Sequence, residues 1–181
     1  MGKIFCTMCD LHKQVINQVY GEGDISSRIV VIGEAPGKDE DKQGRPFIGA
    51  SGKLLREAIK PILDQCYITN IVKCFPHGTP NLITIDMCVR THLINQIKKI
   101  NPDVIILVGN TAKWYFPANI STAKIYKIIH PAYPLYGGGG KMSKEDWKEH
   151  VATTLSEVFH KYSNQERHII FNNDVSPENK I

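Results

Sequence analysis

Five cysteines carry the chemistry most easily read from this chain: Cys6, Cys9, Cys66, Cys74 and Cys88. The first two form a Cys-x-x-Cys pair, a spacing that in a reducing compartment serves metal binding or redox work rather than a disulfide. A thioredoxin-like site would need that pair on a strand-to-helix turn, yet Cys6-Thr7-Met8-Cys9 precedes every strand the sequence offers. Thiolates hold zinc and iron–sulfur clusters alike, and the residues alone do not choose. The plain alternative for Cys74 and Cys88 is a small buried side chain. Cys66, at the entry to an apolar run, reads as core. Three further features stand out. The loop Gly33-Glu34-Ala35-Pro36-Gly37 follows an apolar run, but it matches neither the P-loop nor the dinucleotide pattern, and its acids would repel phosphate. Asn70 lies inside an otherwise apolar stretch, where a buried carboxamide needs partners. His130-Pro131 closes the last such stretch. His77, His92, His150 and His160 read as surface or capping residues.

Positioning these groups requires a frame. Short β-branched runs over residues 28–33, 67–72, 103–109 and 124–129 predict four strands. Helical spacing of apolar residues predicts helices over 51–63, with Pro61 ending it early, and over 83–100, stopped by Pro102. Asn110 is expected to cap a short helix through Phe116, and Ser143 a last one to about Tyr162. Alternation of strand and helix implies an α/β fold, a three-layer α/β/α sandwich on a mostly parallel four-stranded sheet. The ligand site of such a sheet lies at the carboxyl ends of its strands. One domain is expected over residues 1–162, followed by a polar tail over 163–181.

The net charge of +4 permits a nucleic-acid partner without requiring one. No apolar run approaches the roughly 18 residues that span a bilayer. The first residues lack a secretory h-region, and Cys6 breaks the myristoylation pattern. A cytoplasmic protein with no membrane association is expected.

Taken together, the loop 33–55, Thr69-Asn70-Ile71-Val72-Lys73-Cys74 and His130-Pro131-Ala132-Tyr133 resemble the family 4, iron–sulfur uracil-DNA glycosylases. Cys6-x-x-Cys9-Asp10-Leu11 and Gly21-Glu22-Gly23 fit the family's N-terminus, and the motifs run in its order from about Cys6 to Tyr162. The resemblance implies a uracil-DNA glycosylase-like fold and a monomer acting on DNA that contains uracil. It implies that Cys6, Cys9, Cys74 and Cys88, spaced Cys-x2-Cys, 64 residues, then Cys-x13-Cys, ligate a 4Fe–4S cluster of structural role. Phe47 would then stack on the flipped base and Asn70 read its edge, since an amide can accept from N3–H and donate to O4. His130 would stabilise the charge growing on O2. Glu34 would position water, with Asp41 a second acid and the backbone of Gly33 to Ala35 near O2. Tyr133, Leu135, Lys141 and Lys144 would meet DNA, Leu135 as the wedge. The chain departs from the family at Ala132, usually serine, near Tyr136, which lacks an arginine, and after Cys74, which lacks a basic residue. A branch that bonds covalently to DNA has glutamine at the Ala35 position, so hydrolytic turnover is expected here. The alternatives are a weakly active iron–sulfur DNA-binding protein, a glycosylase for a modified pyrimidine such as 5-hydroxymethyluracil, and a zinc-stabilised nucleotide-binding module.

Overall fold

The sheet is built from four five-residue strands, β1 Ile29–Gly33, β2 Cys66–Asn70, β3 Val104–Val108 and β4 Lys124–Ile128. The computed structural model describes residues 6–137 and 142–172, with side chains as far as Phe159. All neighbouring strands pair in parallel, in the order β2-β1-β3-β4. Strands β1 and β3 are buried at every residue, as expected where helices cover both faces of a parallel sheet. Alternate residues serve the two faces. Ile29, Val31, Val104 and Ile106 pack under α2 Ala50–Ala58 and α6 Lys144–Asn172, through Leu55, Trp147 and Val151. Val30, Ile32, Ile105 and Leu107 pack on the opposite side against Ile85, Leu93, Ile97 and Phe116. Each fully buried aliphatic side chain there contributes about 1.5–3 kcal/mol.

That second face is formed by α3 Leu82–Cys88, a π turn Val89–Leu93, α4 Ile94–Ile100 and α5 Gly109–Tyr115. The expected helix 83–100 is therefore interrupted, just after Cys88. Asn81 caps its start by accepting the Thr84 N–H at 2.8 Å. The helix expected over 51–63 ends at Ala58, and Pro61 opens a 3₁₀ turn, Lys60–Gln65. Asn110 does not cap α5: the helix begins one residue earlier, at Gly109, whose φ of +81° suits glycine. Ser143 does cap α6, accepting the Asp146 N–H at 3.0 Å. That helix runs on to Asn172, past its expected end near residue 162. A short helix, α1 Lys38–Gln43, occupies what the sequence presents as loop.

Outside the sheet, the N-terminal segment lies along β2. Glu22 and Ile68 exchange backbone hydrogen bonds of 2.9 and 2.8 Å, covering an edge that would otherwise expose unpaired groups. Among the described residues, no helix is long and apolar enough to cross a membrane.

Candidate active site

The chain steps from β1 to β2 on one side and to β3 on the other, so the strand order reverses beside β1. Crevices open at the carboxyl ends of such sheets at this switch point. Here the crevice is a cleft of about 510 Å³, lined by Glu34, Ala35, Pro36 and Gly37 after β1, Asn70 at the end of β2, His130 after β4, and Phe47.

Phe47 is held in an unusual place. Its backbone is left-handed, with φ of +53°, a strained conformation for a bulky residue. Two contacts enforce it. Gly52 lets α2 approach so closely that a Cβ there would fall 2.1 Å from the Phe47 carbonyl carbon. Arg56 donates to the carbonyls of Phe47 at 2.9 Å and Pro46 at 2.8 Å. Arg45 and Arg56 both engage Glu22, and the Arg45 hydrogen bonds chiefly hold that carboxyl below its ordinary range. Gly33 separates the Phe47 ring from the Asn70 carboxamide: a Cβ on it would lie 2.4 Å from one and 2.6 Å from the other. Asn70 is almost wholly buried, at 2% exposure, and among the described residues its carboxamide has no hydrogen-bonding partner. A buried amide facing a cleft without a partner is suited to a polar ligand.

His130 lies across the cleft. Its Nδ1 accepts the Ala132 N–H at 3.1 Å. The neutral ring then carries its proton on Nε2. Burial lowers the affinity of this imidazole for a second proton, and the Glu34 charge only partly opposes that. The Glu34 carboxylate in turn accepts a hydrogen bond from Thr111. Trp147 Nε1 donates to the Ile129 carbonyl at 2.8 Å and anchors the residue before the histidine.

A second region gathers the cysteines. Gln18 bonds the Cys6 N–H at 2.7 Å and its carbonyl at 2.6 Å, and Val19 N–H reaches the Lys73 carbonyl at 2.7 Å. This segment therefore brings Cys6 and Cys9 to the loop that carries Cys74. Burial pushes the Cys74 thiol up to about 12, with Cys88, Cys9 and Cys6 all adding to the rise. Burial also raises Cys88, against the Lys73 N–H and charge that favour its thiolate. Lys73 is fully buried and donates to Thr69 Oγ1 at 2.8 Å and the Asn70 carbonyl at 2.5 Å. Four thiols within electrostatic reach of one another, beside the buried Lys73, fit a thiolate-bound metal group, which would keep them deprotonated together. Among the described residues, no three His, Cys, Asp or Glu side chains meet as a single ion would require. Cys66 stands apart as core, its thiol donating to the Ile62 carbonyl at 3.1 Å and pushed up to about 12 by burial.

A family model described as the uracil DNA glycosylase superfamily matches residues 20–155, three quarters of the chain and the whole of the cleft. The chain belongs to that superfamily. Curated relatives named type-4 uracil-DNA glycosylase are similar to it. That of Thermotoga maritima is 44% identical over 115 residues, 61% of this chain and 60% of its own. That of Archaeoglobus fulgidus is 36% identical over 157 residues, 72% of this chain and 78% of its own. That of Sulfurisphaera tokodaii is 36% identical over 174 residues, 81% of this chain and 79% of its own.

Within this superfamily member, Glu34, Ala35, Phe47, Asn70 and His130 come together around one cleft, with Gly33 at its base. Asp41 does not join them. Its buried carboxylate accepts the N–H groups of Ile16 and Asn17 at 3.0 Å each, so it anchors the N-terminal segment instead. Leu135, expected as the wedge, lies partly buried against the core in the π turn Tyr133–Gly137, while Tyr136 is 75% exposed. Tyr133 and Lys144 are exposed, and Lys141 lies outside the described residues. Three contributors escaped the sequence reading. Glu40, the third residue of α1, accepts from Gly37 at 3.1 Å, Ile48 at 2.9 Å and Gly49 at 2.8 Å, folding the long first loop onto itself. Its capping position after Gly37 was the available signal. Phe75 and Pro76 close the cleft's far side. Beyond His130 a second cleft of about 460 Å³ opens, lined by Lys113, Lys127, His150 and Tyr133.

Proposed function

We propose that this chain hydrolyses the N-glycosidic bond of uracil flipped out of DNA, leaving an abasic site for base excision repair. The observation that carries this reading is the convergence of an aromatic ring, an unpartnered buried carboxamide and a neutral imidazole on one base-sized cleft. Extruding a nucleotide costs unstacking energy, which the cleft must return by stacking and edge recognition. Phe47 offers the stacking face. Asn70 offers an acceptor for N3–H and a donor for O4, whereas cytosine presents an acceptor at N3 and a donor at position 4 and would meet like against like.

As the bond from N1 to C1′ breaks, its electron pair leaves with the base and charge accumulates on O2. The Nε2–H of His130 is already fixed by the Ala132 contact and needs no reorganisation to donate there. Glu34, on the loop after β1, orients a water whose oxygen bonds C1′, and its negative charge favours the cationic sugar that precedes this addition. The released proton passes to solvent. The lysine-bearing second cleft, which holds no carboxylate among its lining residues, continues the path for a DNA backbone beyond His130. Tyr136, exposed beside the partly buried Leu135, would be the side chain that enters the duplex. Lys144 adds charge nearby.

Cys6, Cys9, Cys74 and Cys88 would hold a 4Fe–4S cluster, supplying a structural tie between the N-terminal segment and the loop after β2. The protein would work as a monomer in the cytoplasm. Oligonucleotides carrying uracil opposite A or G, single-stranded uracil, or 5-hydroxymethyluracil test the activity, with alkaline cleavage at abasic sites as readout. Scission of the uracil strands is expected. Scission of the hydroxymethyl strand alone, or of none, overturns the assignment.

A further inference from the structure

We propose that Thr111 is a positioning residue, holding Glu34 in the orientation that water attack requires. The inference rests on the reading of Glu34 given above and adds the group on which it depends.

Thr111 stands in the first turn of α5, immediately after β3, and 77 residues from Glu34 in sequence. Strands β1 and β3 are neighbours, so their carboxyl ends place the two side chains face to face. The Thr111 hydroxyl donates to Glu34 Oε2. Among the described residues, this is the single hydrogen bond the carboxylate accepts. A glutamate side chain on a loop has several rotamers to lose. Threonine is stiff at χ1, so it is a well-defined anchor for one carboxylate oxygen. The other oxygen, with both lone pairs, is left for a water. The same turn also sets the place of His130: a Cβ on Gly109 would lie 2.9 Å from the His130 Cβ, so the backbone of α5 is packed directly against the imidazole side chain. One helical turn thus fixes the relation between the acid on one loop and the histidine on another.

The test uses the full chain, purified anaerobically, with single-turnover excision of a uracil oligonucleotide. Thr111→Val keeps the shape and removes the donor. It is expected to lower the maximal rate about tenfold, while the half-saturating protein concentration stays within about twofold. Thr111→Ser keeps the donor and is expected to remain within about twofold of the parent rate. In a Glu34→Ala background, Thr111→Val is expected to cost nothing further, because nothing remains to be positioned. If Thr111→Val melts early, Thr111→Ala is read against the same two comparisons. A parent-like rate for Thr111→Val, with Glu34→Ala slow, overturns the role of Thr111 alone. A full loss that persists in the Glu34→Ala background shows a structural effect and overturns it too. A parent-like rate for Glu34→Ala removes the underlying reading of Glu34, and the inference with it.

Discussion

In the cleft, the carboxamide, the carboxylate and the imidazole assigned to the chemistry stand at or just past the ends of strands. Asn70 is the last residue of β2, Glu34 the first after β1, and His130 the second after β4. At the cysteine end, Cys6 and Cys9 belong to no strand and are secured by Gln18, Asp41 and the Lys73 carbonyl. The strand ends set the place of the first group, with α5 and Trp147 packed against the residues just beyond them. The second group depends on long-range tethers between segments with little core of their own. Chemistry at the cleft should therefore be separable from folding, whereas the cysteines should be inseparable from it.

Removing a thiol is the harshest way to break that contrast. Cys74→Ala or Cys88→Ala should abolish iron and sulfide content and leave little folded protein, read by metal assay and thermal melting. Retention of parental melting would mean that the two regions are equally independent. In the cleft, His130→Ala and Asn70→Ala should each slow single-turnover excision tenfold or more, about 1.4 kcal/mol apiece, with iron content and melting unchanged. Gly33→Ala should act more gently, since its Cβ would meet Phe47 Cζ and Asn70 Oδ1. About fivefold weaker uracil-DNA binding, near 1 kcal/mol, with normal melting is expected. Asp41→Ala should reverse the pattern, costing about 1–3 kcal/mol of stability by removing the charged acceptor of the partly buried N–H groups of Ile16 and Asn17. Excision per folded molecule should not change.

The finest discrimination comes from His130. Because burial disfavours its charged form, an NMR titration should find its pKa below the ordinary 6.5. Glu34→Gln should lower it further, because the Glu34 charge is the opposing influence. The unfolded chain binds that proton more readily than the native one, so His130 subtracts stability as pH falls below about 6.5. A value at or above 6.5 would show that the ring is solvated and that the cleft does not shield it.

Much of the frame was legible because its signals were local. The β-branched runs, Pro61, Pro102 and Ser143 each act through backbone geometry within a few residues. Helix α1 was hidden because Lys38-Asp39-Glu40-Asp41-Lys42-Gln43 has no apolar periodicity, its hold coming from the Glu40 carboxylate on distant N–H groups. The π turn after Cys88 leaves no mark in the apolar spacing. Asp41 misled for a related reason. An acid in an acidic loop looks alike in sequence whether it faces a cleft or anchors a segment 25 residues away. Leu135 and Tyr136 are adjacent, and only the turn they occupy decides which one is exposed.

What the sequence determined by itself was the alternation of elements and the identity of the reactive groups, since side-chain chemistry and backbone propensity are properties of single residues and near neighbours. Only the tertiary structure decided that Thr111 meets Glu34, that Gly109 packs against His130, and that Gly33 leaves room between Phe47 and Asn70. Those relations arise where parallel strands end side by side, and strand order is set by packing across the whole sheet.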